Sequence, residues 1–155
     1  MPLKFTDERV FPSLVIASFL GVSNACIVLT SSLFVNDVIL QSSEDLYFFV
    51  SIGFAIVAFS GLLTQLFIVD KYSLNPKSLV FIGLFLMSVV FYLLSNINDL
   101  LSFYILLAIF GFGGGLARPG NVSILSLSIE RYEQGSASGL MGTVFPLGHL
   151  LTPFS

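Results

Sequence analysis

The stretch Leu100–Ile129 reads LLSFYILLAIFGFGGGLARPGNVSILSLSI, and its reading decides the fold class. As a helix it would extend about 45 Å, more than enough to cross a hydrocarbon layer of about 30 Å. Its one charged residue is Arg118. Polar and apolar residues do not alternate along it, so it is no strand of a membrane barrel. Working outward, charged residues bound four more apolar runs, at about 10–35, 46–69, 78–95 and 135–155. Each is long enough to span a bilayer as a helix. The expected architecture is an all-α membrane protein with five transmembrane helices in one domain over residues 1–155.

Composition supports that reading and excludes others. Of the 155 residues, 55% are apolar and 10% charged, and the mean hydropathy is +0.98. A soluble domain carries about 25% charged residues, and a chain of this size leaves too much surface exposed to hide so many apolar side chains from water. Disordered, collagen-like and disulfide-scaffold classes fall away on the same figures. Cys26 is the sole cysteine and matches no zinc spacing, so neither a metal nor another cofactor is expected. The net charge of −3 comes with no basic cluster, which argues against nucleic acid as a partner. There is no nucleophile elbow, zincin helix or phosphate loop, so the chain does not read as an enzyme. Gly113-Gly114-Gly115 lies inside an apolar span, and the 17 phenylalanines read as lipid-facing and packing bulk.

Loop charges set the orientation. With five spans, one side holds Lys4, Arg9, Lys71, Lys77 and Arg131, and the other holds Asp37, Glu44, Asp45 and Asp99. All loop-borne Lys and Arg therefore fall on one face, which the positive-inside rule makes cytoplasmic. The expectation is an integral protein of the cell (inner) membrane with its N-terminus cytoplasmic and its C-terminus external. Lys4, Arg9 and the small residues Ser23-Asn24-Ala25 imitate a cleavable signal. The apolar run continues to Val35, longer than a signal core, and Asp7 and Glu8 dilute the basic start, so the first span is read as uncleaved.

Two segments carry a resemblance. Asp70-Lys71-Tyr72-Ser73-Leu74-Asn75-Pro76-Lys77, between the second and third spans, resembles the acidic–basic cytoplasmic loop of the major facilitator superfamily. Gly111 to Gly115, Pro119, Ser126 and Ser128, Gln134-Gly135, Gly139, Gly148 and Thr152-Pro153 are similar to the tenth and eleventh helices of its drug-efflux-like members. Gln65 fits the eighth helix, and Leu107, where the N-terminal half would carry arginine, favours the C-terminal half. The resemblance implies a partial chain: five helices of an incomplete six-helix half, in a family whose substrate lies between two halves near the midplane. It also implies a gating role for Asp70 and Lys71 in the cytoplasmic loop.

The residues themselves suggest a site. A charge in mid-span costs roughly 2.5–3.5 kcal/mol to insert, so Arg118 must face water or a partner, attracting an anionic substrate group or pairing with a carboxylate. Asn121 and Ser128 follow on nearly the same helical face, and Asn24 with Ser31 marks one face of the first span. Arg118, Asn121, Asn24 and Ser128 are the expected cavity residues. Gly111 and Gly115, and Gly135 and Gly139, have the spacing that lets helices approach closely; Pro119 and Pro146 are expected kinks. Gln65 is read as an interhelical hydrogen bond and His149 as an interface histidine. Mid-span carboxylates are absent, so a proton carrier, if one is used, belongs to another half. The expected function is secondary transport of a small molecule, in the direction of efflux, together with another transporter half or a second copy. The alternative is a non-transporting membrane protein, a truncated product or assembly subunit, that packs through its glycine faces.

Overall fold

The computed structural model describes residues 5, 7–40, 46–69 and 74–151. Among these there are five long helices and no strand. Helix α1 covers Phe11–Phe34 and runs on as a π-helical segment, Val35–Leu40. Helix α2 covers Leu46–Thr64 and continues similarly over Gln65–Val69. Helices α3 (Pro76–Leu94) and α4 (Leu100–Ser128) follow, and a short 3₁₀ turn, Arg131–Glu133, leads into α5 (Gln134–Leu151).

The helix starts follow from local chemistry. Asn75 accepts a hydrogen bond from the Lys77 amide at 3.0 Å, and Pro76 occupies the first turn of α3, where its missing N–H is no loss. Asp99 accepts from the Ser102 amide at 2.7 Å to cap α4. That amide, followed by the Ser102 side chain, holds the Asp99 carboxyl below its ordinary range.

Helices α1 to α4 are each long and apolar enough to cross a membrane by length and composition. Over its described residues α5 falls short of that measure: it has 18 residues, diluted by Gln134, Ser136, Ser138, Thr143 and several glycines. The outer surface is what a hydrocarbon solvent permits. Phe19, Phe59, Phe81 and Phe85 are all at least 60% exposed, and α2 buries only Gly53 and Thr64. Water would not tolerate so large an apolar surface, whereas lipid tails are as apolar as these side chains.

Helix α4 is the axis of the bundle and packs against both α2 and α3, while α5 lies against α1. Because lipid supplies no hydrophobic drive, helix association depends on close backbone approach, and α4 achieves it on two stripes. A Cβ on Gly111 would strike the Val57 carbonyl oxygen and lie 2.9 Å from the Val57 Cα, and one on Gly115 would lie 2.7 Å from the Gly61 oxygen of α2. On the other stripe, a Cβ on Gly83 of α3 would meet the Gly113 oxygen at 2.5 Å and the Ala117 nitrogen at 2.8 Å. Gly135 and Gly139 make no such approach among the described residues. No described residue stands within 4 Å of where their side chains would begin, because α5 uses its opposite face, through Ala137 and Val144, to meet Val10, Leu14 and Ala17 of α1 and Leu125 of α4. A second apolar cluster, with Leu20, Ile27, Met87, Val90, Phe103 and Phe110, joins α1, α3 and α4.

A charged clamp fastens the start of α1 to the turn before α5. The Arg9 guanidinium donates to both Glu133 oxygens, at 3.1 and 3.2 Å, and to both Asp7 oxygens. Arg9 holds both carboxyls below their ordinary range, and a carboxyl lowered on folding adds stability that is complete above its unfolded value and disappears as the pH falls through the folded one. The hold of α1 on α5 is therefore expected to persist at neutral pH and weaken below the ordinary glutamate value of 4.5. Glu133→Gln should lower the unfolding midpoint at pH 7 and make the decline expected of the wild type in acid shallower, since Asp7 keeps its own contact with Arg9. Identical pH profiles for the two proteins would refute the clamp.

Candidate functional site

Arg118 stands in α4 with its side chain exposed and its Nη2 donating to the Asn24 Oδ1 of α1 at 3.1 Å. The contact joins residues 94 positions apart in the chain. Asn24 is a neutral acceptor, so it orients the guanidinium without adding charge. Both side chains line a cavity of about 430 Å³ between α1, α2 and α4. From α2 come Phe54, Gly61, Leu62 and Gln65; from α4 come Phe110, Gly114, Gly115 and Pro119. Among the described residues lining it there is one cation and no carboxylate.

The glycine run shapes this cavity. Gly111 and Gly115 let α2 in, and Gly113 lets α3 in, but no described residue lies within 4 Å of a Cβ built on Gly114. Its missing side chain leaves space in front of Arg118. Pro119 lies inside α4 and has no N–H to offer the carbonyl one turn earlier, that of Gly115. Both residues line the same cavity, one turn of helix with a weakened ladder beside the guanidinium. Pro146 likewise lies within α5.

Two of the expected cavity residues, Asn121 and Ser128, take other places, and so does Ser31, which shares a face of α1 with Asn24. Asn121 is 1% exposed and donates to the Ser13 carbonyl of α1 at 2.9 Å. Its angular position is near that of Arg118, but one turn further on α1 closes over this face of α4 and buries it. The Asn121 Oδ1 and the Ser13 Oγ are both buried without a hydrogen-bond partner among the described residues. Ser128 donates to the Ile124 carbonyl of its own helix at 2.8 Å, which satisfies it locally at the end of α4. Ser31 is buried and donates to the Ile27 carbonyl, beside a separate pocket with Phe34, Phe91 and Phe103. Conversely, Gln65, expected as an interhelical hydrogen bond, lines the Arg118 cavity. Its signal was its being the one amide in the second apolar run. Asp70 and Lys71 lie outside the described residues, as does the side chain of His149.

A larger groove of about 830 Å³ lies on the outer side of α2 and α4, walled by Ile56, Phe59, Phe67 and Phe112. Its hydroxyls are already engaged: Ser60 donates to the Ala108 carbonyl at 2.7 Å and Thr64 to the Ser60 carbonyl at 2.8 Å. It offers an apolar surface and little to orient a polar ligand. Among the described residues no group of His, Cys, Asp and Glu is placed to hold a metal ion. The Arg118 cavity instead brings a charge and neutral polar groups together at one opening in the bundle.

Residues 3–153 match the family model described as Major Facilitator Superfamily. No curated protein and no solved structure matches the chain.

Proposed function

The chain belongs to the major facilitator superfamily, and from that membership we propose that it carries a small molecule across the cell membrane by alternating access, in the direction of efflux. The substrate binds in the cavity of Arg118, Asn24 and Gln65, and a second helical bundle, another half or a second copy, closes the site from the other side. In this reading α5 is the fifth crossing, the N-terminus is cytoplasmic, the C-terminus external, and Asp70 with Lys71 acts at the cytoplasmic gate. One observation carries the reading: Arg118 and Asn24, from two different helices, meet at an open cavity inside an otherwise apolar bundle. Simple helix packing has no need of a guanidinium at that depth, since removing it would ease insertion.

Gly114 provides the test. With Cys26 replaced by serine, Gly114→Cys places a thiol where there is open space. A membrane-impermeant thiol reagent should reach it from one side of sealed vesicles without substrate, and the side or rate should change when a transported compound is present. Labelling that no compound in a broad panel alters would overturn alternating access. For orientation, tags at residue 1 and near residue 75 should be protected from external protease in intact cells, while tags near 42 and 98 should be cut. Any exchange of sides would overturn the topology.

A further inference from the structure

Helix α1 takes part in two apolar cores that share no buried residue. Leu20 and Ile27 join Met87 of α3 and Phe103 and Ala117 of α4 in one. Val10, Leu14 and Ala17 join Ala137 and Val144 of α5 in the other, to which α4 contributes Leu125. The change of core falls between Ala17 and Leu20, where the helix is locally weak. Ser18 donates its hydroxyl to the Leu14 carbonyl at 2.9 Å, competing for the acceptor of a ladder bond, and Gly21 follows. Serine and glycine are residues at which helices bend. Beyond the bend α1 is well held: Asn24 accepts from Arg118 at 3.1 Å, and Phe34 stacks on Phe103 with ring centres 5.3 Å apart. Before it, Asn121 of α4 donates to the Ser13 carbonyl at 2.9 Å. That contact leaves the Asn121 Oδ1 and the Ser13 Oγ buried without a partner among the described residues. Helix α4 is seated firmly at this level, since a Cβ on Gly120 would lie 2.9 Å from the Pro76 carbonyl oxygen of α3. On the other side, Arg9 ties the start of α1 to Glu133 at 3.1 Å.

From this we infer a hinged flap: residues 10–17 of α1, with α5 attached, swing away from α4 about Ser18–Gly21. Opening admits water to Ser13 and Asn121 at the end of the bundle that carries Arg9 and Glu133. Parting breaks one hydrogen bond, which water replaces, and hydrates two orphaned atoms whose burial is otherwise uncompensated. The apolar contact with Leu125 is exchanged for one with lipid tails, which are as apolar as the side chains that leave. Little free energy therefore holds the seam shut, whereas the backbone contacts of α4 with α2 and α3 keep those three helices together. A hinge of this kind absorbs the change in a few residues and leaves the two packed bodies intact. The motion lies within this chain and needs no substrate, so it stands or falls separately from transport.

The test is thiol reactivity in the detergent-solubilised full chain, with Cys26 replaced by serine. Ser13→Cys and Ala25→Cys each put one thiol at a buried position of α1, 1% and 0% exposed, on either side of the bend. A water-soluble maleimide should modify position 13 at least about tenfold faster than position 25, because release of two orphaned atoms favours opening at 13 alone. Adding Asn121→Leu removes one orphaned oxygen and should slow the reaction at 13 by about tenfold while leaving position 25 unchanged. Equal rates at the two positions, or a rate at 13 that Asn121→Leu does not slow, would overturn the flap. Should Asn121→Leu fail to fold, the comparison of 13 with 25 decides alone. Spin labels at Phe11 and Thr143 should keep a single distance, since α5 travels with the flap, while labels at Phe11 and Lys77 of α3 should show two. A single distance for both pairs, or a split in the first, would also overturn the inference.

Discussion

Gly111→Val is expected to separate α2 from α4 and lower the thermal unfolding midpoint more than any other single change at a helix contact. A Cβ at this position meets the carbonyl oxygen of Val57 and comes within 2.9 Å of its Cα. Backbone atoms cannot swing aside as a flexible side chain can, so the helices themselves must move. Overpacking of this kind costs about 1–3 kcal/mol, and more where nothing yields. Valine adds two methyl groups beyond the Cβ, so the upper part of that range is expected. Gly139→Ala is the matched control, because no described residue lies within 4 Å of its would-be side chain, and alanine in a helix is favoured over glycine by up to about 1 kcal/mol. Thermal unfolding in one detergent should show a large fall for the first variant and none, or a small rise, for the second. Equal midpoints would mean that the close approach at Gly111 does not hold the bundle together.

Arg118→Ala should abolish measurable transport while leaving insertion and folding intact. Losing a charge-assisted contact to substrate costs about 1.5–3 kcal/mol, which is roughly a tenfold to hundredfold loss of apparent affinity. Insertion should not suffer, since removing a mid-span arginine relieves roughly 2.5–3.5 kcal/mol. Arg118→Lys keeps the charge but loses the planar fork that meets Asn24 at 3.1 Å, so it should also fail. Asn24→Ala should have a smaller effect, about 1 kcal/mol, because it removes an orienting bond and leaves the charge in place. Flux in vesicles, with membrane content measured on the same samples, separates function from insertion. Undiminished flux in Arg118→Ala would remove the cavity from the mechanism.

Much of the fold was legible because lipid is a demanding solvent. A spanning helix must be about twenty apolar residues long with its backbone satisfied within itself, so α1 to α4 stand out in a linear reading. The Asn75 and Asp99 caps, which the structure shows, are local features as well. The fifth apolar run is the weakest of the five, since small and polar residues in α5 dilute the same signal. Within the site, Arg118 announced itself as the only charge inside its apolar run, and Asn24 as an amide in another.

What sequence alone determined, then, is the class of solvent, the helical spans and the presence of one costly charge inside an apolar run, because each follows from the free energy of single residues or short runs in hydrocarbon. The tertiary structure decided which neighbours share that charge. Arg118 and Asn121 have similar angular positions on α4, yet one opens on a cavity and the other is 1% exposed against Ser13. Gly111, Gly113 and Gly114 are near neighbours in sequence, yet they face α2, α3 and open space respectively. Helical periodicity fixes direction around one helix only; where the next helix crosses, and at what depth it covers that direction, depends on the packing of the whole bundle.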